Sequence, residues 1–426
     1  MTNRVKIVEG LSEPAVVVVS ALGGVTDKLI DTANRASVAD ESYRSNISEL
    51  RQRHADMIEA MVEPSKQDGV QQFATEMLNQ LNDICRGLSL VGELTERSLS
   101  MIVAFGERIS SCIVANAIKG ARHIDSLETT RTERRFGKNV ADVGLTAELM
   151  KKAFGNIEAG KPIVMGGFIS RDKDTNQITN LGRGGSDYTA SLIGAAVNAS
   201  EIQIWTDIDG MHNNDPRIVD KTSPVRHLHF EEAAELAYFG AKILHPTCIQ
   251  PAKYANIPVR LLNTMDPTAP GTLISNDTEK GKIKAVAAKD NITAIKIKSS
   301  RMLLAHGFLR KVFEIFESYQ TSIDMICTSE VGVSVSIDNT KHLNEILDDL
   351  KKYGTVTVDK DMCIICVVGD LEWENVGFEA KALDAMRDIP VRMISFGGSN
   401  YNISFLIREC DKKQALQSLS DALFNE

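Results

Sequence analysis

Between residues 15 and 263 the chain sets four short apolar runs among long stretches of helical periodicity, and this alternation limits the fold more than any other feature. The runs cover 15–20, 162–169, 201–207 and 259–263, while helical patterns fill 27–62, 70–94, 98–119 and 230–239. A strand that is apolar on both faces needs cover on both faces, and strands separated by helices pair in parallel. The expectation is α/β, a three-layer αβα sandwich around a mostly parallel sheet. Ligands in such folds lie beyond the carboxyl ends of the strands.

Beyond a polar linker at 276–284 the pattern changes to short strands and helices that repeat. Met325-Ile326 recurs as Met393-Ile394, and the alternating strand 334–337 recurs in phase at 402–405, both 68 residues on. Helices are expected before the two copies at 309–319 and 379–387, and after them at 343–352 and 412–424. Two tandem α+β units follow from that repeat. The chain is therefore expected to divide into residues 1–280 and residues 281–426.

Charge and cysteine content narrow the partners. The 48 basic and 57 acidic side chains leave a net charge of −9, and neither half carries a basic block. Nucleic acid and anionic membranes are poor matches for such a surface. Any nucleotide site must draw on local cations. Seven scattered cysteines, an odd number, suggest a reducing, cytoplasmic setting. Cys363 and Cys366 form a C-x-x-C, but inside an apolar run that reads as a buried strand.

Four segments carry candidate chemistry. GRGGSDYTA (182–190) lies between a strand run and a helix run. Its glycines permit close backbone approach, Arg183 offers a planar cationic fork, and Ser186 and Asp187 stand at a helix start whose free N–H groups favour anions. SALGGVT (20–26) follows the first strand with two hydroxyls, Ser20 and Thr26, although Thr26 could equally be a helix N-cap. In FGER (105–108), Glu107 lies among apolar residues and needs a cation, which a substrate ammonium, Arg108 or a nearby lysine could supply. The fourth segment runs through WTDIDG (205–210), DPR (215–217) and YFGAKILHP (238–246). Its acids, Arg217 and Lys242 are the parts of a nucleotide-phosphate site, with turn chemistry as the plain alternative for Asp207 and Asp209. His245, before a proline, reads as a helix-boundary residue.

Together the strings SALGGVTDKL, FGERIS, GRGGSDYTA, WTDIDG, DPR and YFGAKILHP resemble the aspartate kinases, a branch of the amino-acid-kinase family that carries tandem ACT domains. The resemblance runs from about residue 15 to the C-terminus, and MLLAHGFLRKVFEIF with SIDMICTSE is similar to the lysine-sensitive type. It implies an amino-acid-kinase fold followed by two ferredoxin-like ACT domains. The implied reaction is ATP plus L-aspartate giving 4-phospho-L-aspartate and ADP, with Mg2+, as the first step toward lysine, threonine and methionine. Lysine is the implied effector, and a homodimer through the ACT domains the implied assembly.

By that resemblance Ser20, Thr26, Glu107, Arg183 and Ser186 bind aspartate, Arg183 holding a carboxylate and Glu107 the ammonium. Arg183 and Asp187 stand at the catalytic centre, Asp187 by orienting rather than covalently. Thr206, Asp207, His212, Arg217 and Lys242 match ATP positions, His212 replacing a common Tyr. Met302, Ile323, Asp324 and Ser329 match the lysine site, with Asp324 taking the effector's ammonium. The family's opening strand and Lys-Phe-Gly-Gly-Thr-Ser loop have no counterpart here. That predicts an unpaired edge on the strand at 15–20. It also sets an active kinase read without its first strand against a catalytically impaired, amino-acid-sensing homologue that modulates a partner kinase.

Overall fold

The structure, a computed structural model, describes residues 2–135, 137–240, 245–299 and 307–424. The chain forms two compact units: Met1–Asp209 with Leu244–Ser275, and Gly210–Ile243 with Asn276–Glu426. The stretch 210–243 therefore packs with the C-terminal part, where the sequence alone suggested a single cut near 280.

In the first unit, strand Val16–Val19 pairs in parallel with Ile163–Gly166, which pairs in parallel with Arg122–Ile124. Strand Ile202–Thr206 pairs in parallel with Val259–Asn263, and Thr272–Ser275 adds antiparallel to that. The apolar strand faces are covered as the pattern required: Val16 and Val18 pack against the cluster of Leu192 and Ile193, while Val17 and Val19, like Val5 and Val8, pack against the cluster of Val114, Ile118 and Val164. Among the described residues, Val16–Val19 has a strand neighbour on one side only. All four valines are only half-buried. A separate cavity of about 730 Å³ lies beside the other open edge, between Lys6 and Ile7 of helix Thr2–Glu9 and Gln203 and Trp205.

The long helical stretch at 27–62 is two helices, Val25–Ser37 and Tyr43–Met61. No Gly or Pro marks the break. Ala39 takes φ +55, and Asp40 accepts a hydrogen bond from the Ser42 N–H at 2.9 Å, a local turn that outcompetes the helix. Helix Glu96–Ala117 is apolar and long enough to cross a membrane, yet 78% of that window is buried inside the protein. It is a core helix.

The expected strand at 162–169 also divides. Ile163–Gly166 belongs to the parallel sheet and Ile169–Asp172 to another sheet, with Phe168 between them at φ +65. A Cβ on Gly167 would fall 2.5 Å from the Ser186 Cα, so only glycine fits at this bend.

In the second unit a six-stranded antiparallel sheet runs in the order 326–329, 332–337, 283–298, 355–369, 402–408, 393–395. Strands Ile283–Lys298 and Thr355–Gly369 pass through both repeats, and the helices fall at Phe308–Ser318, Leu343–Lys351, Phe378–Ala385 and Lys412–Phe424. The repeats match in order but not in register. Ile326 pairs with Val335, whereas Ile394, its counterpart, pairs with Phe405, two places beyond the residue equivalent to Val335. Cys363 and Cys366 are free and buried in strand Thr355–Gly369, and burial pushes both thiols up, as a packing role predicts.

Candidate active site

Ser20, Thr26, Glu107, Arg183, Ser186 and Asp187 line one pocket of about 290 Å³. The bend at Phe168 and the glycines at 182, 184 and 185 complete it. The topology explains the convergence. Ser20 and Thr26 follow strand Val16–Val19, Phe168 follows strand Ile163–Gly166, and residues 183–187 open helix Gly185–Val197. Backbone N–H groups of that first turn have no intrahelical acceptor and favour an anion at the helix start.

The Gly184 backbone sits at φ +69 and caps this helix in the left-handed conformation. The Cys248 thiol donates to the Gly184 carbonyl at 3.0 Å, and a Cβ on Gly184 would lie 2.8 Å from both Cys248 Sγ and His245 Cβ. Gly184→Ala is therefore expected to destabilise the protein by about 1–3 kcal/mol and to raise KM for the pocket's ligand. Thermal unfolding and steady-state kinetics check this, and a wild-type KM would rule out a tightly packed loop.

Glu107 lies in helix Glu96–Ala117 and is 4% exposed. Arg108 is not its partner, because it bonds to Asp125 at 3.1 Å. Among the described residues Glu107 Oε2 has no hydrogen-bond partner. Burial pushes this carboxyl up to about 7, opposed by the Ala21 backbone N–H. Burial likewise pushes Asp187 up to about 6. Arg183 is exposed and has no ion pair among the described residues, while burial, and after it the Arg183 charge, holds the His245 ring below its ordinary value. The pocket thus presents an open cationic fork and, at a distance set by rigid elements, a buried carboxylate with no ion-pair partner among the described residues. An α-amino acid carries the complementary pair of charges.

Thr26 is not an N-cap. Helix Val25–Ser37 starts after Gly24, which is left-handed and makes no side-chain cap bond, so the Thr26 hydroxyl is left for the pocket. His245 does stand at a boundary, before the 3-10 turn Pro246–Ile249.

The residues matched to ATP spread more widely. Thr206 ends strand Ile202–Thr206, and its hydroxyl accepts from the Ile208 N–H at 3.2 Å and donates to Asp207 at 3.3 Å. Asp207 is exposed at that strand end. His212 and Arg217 belong to the other compact unit. The His212 Nδ1 contacts the Thr222 hydroxyl at 3.0 Å, and Arg217 forms a two-pronged pair with Asp215 at 2.7 and 2.9 Å. Lys242 lies outside the described residues.

Of the effector positions, Met302 also lies outside the described residues. Ile323 and Asp324 precede strand Ile326–Ser329, and Ser329 closes it. Asp324 already holds an ammonium: Lys289 Nζ lies 2.7 Å from its Oδ1, and the Tyr238 hydroxyl donates to the same oxygen at 2.6 Å. Burial pushes the Asp324 carboxyl up against both hydrogen bonds. Sequence reasoning gave Lys289 no role and quoted Tyr238 only within a motif.

The chain matches the Amino acid kinase family over residues 1–263 and an ACT domain over residues 365–423. It is 34% identical to Aspartokinase 1, chloroplastic, of Arabidopsis thaliana, across 97% of this chain and 75% of that protein. It is 30% identical to Lysine-sensitive aspartokinase 3 of Escherichia coli, across 100% of this chain and 96% of that one. The chain belongs to the aspartokinases, within the amino acid kinase family. The structure superposes on that of E. coli aspartokinase III in complex with aspartate and ADP (R-state) with a TM-score of 0.87 at 29% identity, covering 100% of this chain and 96% of the other. The sandwich of the first unit and the paired α+β units of the second are the architecture the sequence pattern predicted.

Proposed function

We propose that the protein transfers the γ-phosphoryl group of MgATP to the β-carboxylate of L-aspartate, giving 4-phospho-L-aspartate and ADP, under control by lysine. The observation that carries this reading is the pairing of an open Arg183 with a buried Glu107 whose Oε2 has no partner among the described residues, in one small pocket. The aspartate and ADP bound to the E. coli enzyme and the lysine sensitivity in its relative's name agree with it.

In this reading Arg183 clamps the α-carboxylate, Glu107 takes the ammonium, and Ser20, Thr26 and Ser186 donate to the substrate's oxygens. These contacts leave the β-carboxylate free to attack. Its oxygen bonds to the γ-phosphorus as the bond to the ADP oxygen breaks, and no proton is transferred in that step. Catalysis then rests on in-line positioning and charge neutralisation. Asp187 orients the groups at the centre. Thr206 and Asp207, at the end of strand Ile202–Thr206, serve the nucleotide. Mg2+ arrives on the ATP phosphates as part of the substrate, where it neutralises charge on the transferred group. Lysine meets Ile323, Asp324 and Ser329 with Met302, and the ACT units pair two copies of the chain.

The test is acyl phosphate trapping. Protein with MgATP, L-aspartate and hydroxylamine should yield aspartyl hydroxamate, and lysine should suppress it. No hydroxamate from protein that still binds aspartate would sink the phosphotransfer reading. Suppression by threonine but not lysine would sink the effector reading alone.

A further inference from the structure

Lys289 lies in strand Ile283–Lys298 just before an irregularity in its pairing with Thr355–Gly369, where Asn291 takes φ +60. Bulges of this kind redirect side chains. Here Lys289 points its ammonium into a cage. Nζ lies 2.7 Å from Asp324 Oδ1, 2.9 Å from Asp338 Oδ2 and 4.2 Å from the centre of the Tyr238 ring. Two carboxylates and an aromatic face are what a primary ammonium selects. The Asp324 side chain is 0% exposed while that of Asp338 is 41% exposed, so the cage opens toward solvent on the Asp338 side.

The resident does not satisfy its host. Asp324 Oδ2 has no partner among the described residues, although its carboxylate is fully buried. A buried acceptor left empty is costly, and a guest with a freely placed ammonium can fill it where a tethered one does not.

We propose that the Asp324–Asp338–Tyr238 cage is an exchangeable receptor for primary alkylammonium groups, that Lys289 is its built-in occupant, and that an effector binds by displacing Lys289. This rests on the lysine-effector reading only for the identity of the guest. Exchange also carries a signal. The Tyr238 hydroxyl bonds to Asp324 and its ring lies under Lys289, so a change of occupant is felt directly at the last residue of helix Phe230–Tyr238.

A tethered occupant lowers the apparent affinity for a guest by the fraction of time the site is filled. Calorimetric titration of the full chain with L-lysine and, separately, with n-butylammonium tests this. Lys289→Met keeps the methylene packing and removes the competitor, and it should bind either guest at least about tenfold more tightly than the wild type. Lys289→Arg should bind at least about tenfold more weakly, because a guanidinium fork is harder to displace from two carboxylates. The arginine variant keeps the charge and serves if the methionine variant does not fold. Unchanged or reversed affinities in these variants overturn the exchange. If wild type binds lysine but neither variant shifts, the exchange fails and the effector reading stands. If only butylammonium binding shifts in this way, the cage stands and lysine is not its guest.

Discussion

Arg183→Ala is expected to lower kcat/KM for aspartate by about 10²–10³-fold, a loss of about 3–4 kcal/mol of binding to the substrate carboxylate. The defect should appear in KM for aspartate, with KM for ATP little changed, because Arg183 lines the small pocket with Glu107 and not the strand end at Thr206. The free side chain is exposed and has no ion pair among the described residues, so its truncation removes a contact made only with ligand. The thermal midpoint should stay close to wild type. Arg183→Lys should recover part of the loss by restoring charge, yet remain well below wild type because an ammonium cannot replace the planar fork. Steady-state kinetics at fixed pH decide it. Activity within fivefold of wild type for Arg183→Ala would remove the carboxylate clamp from the mechanism.

Arg183 and Glu107, which line one pocket, were marked in the sequence by local chemistry, and only the family resemblance tied them to one ligand. Both stand where short-range rules apply: Arg183 among glycines before a helix start, Glu107 as a charge in an apolar helix that must be buried. Local rules also located strand Val259–Asn263 and helix Lys412–Phe424. What sequence could not supply were contacts between distant residues. Cys248, 64 residues from Gly184, holds the loop carbonyl, and Lys289, 35 residues from Asp324, fills the cage. Neither sits in a pattern that periodicity or spacing would mark. The breaks at Ala39 and Phe168 were missed for a related reason. Both are left-handed residues without glycine, held by their surroundings against the preference of their own side chains.

Strand Val16–Val19 is a different case: among the described residues it has a strand neighbour on one side only. The edge strand is four valines long and both of its faces pack into apolar clusters, so the border it offers is short. Short covered edges resist intermolecular pairing.

The other large effect concerns Glu107, where function and stability oppose each other. Burial holds its carboxyl at about 7 in the free protein, against an ordinary value of 4.5. The folded state therefore binds this proton more tightly than the unfolded chain does, so stability from this group is full below about 4.5 and is lost as pH rises to about 7. At about 1.4 kcal/mol per pH unit the loss is about 3 kcal/mol. Asp187, raised from 3.8 to about 6, acts in the same direction at lower pH. Glu107→Gln should abolish the first contribution. Denaturant unfolding of wild type should show stability falling between pH 5 and 8, and the variant should fall by about 3 kcal/mol less. Aspartate binding needs the ionised carboxylate, so wild-type kcat/KM should climb across pH 6–8 about tenfold per unit below the Glu107 value, since kcat/KM reports groups of the free enzyme. Glu107→Gln should lose that limb and about 10²–10³-fold in kcat/KM at pH 8, as a neutral amide cannot pair with the substrate ammonium. A variant that keeps the wild-type pH limb would show that the buried carboxylate does not receive the substrate's charge.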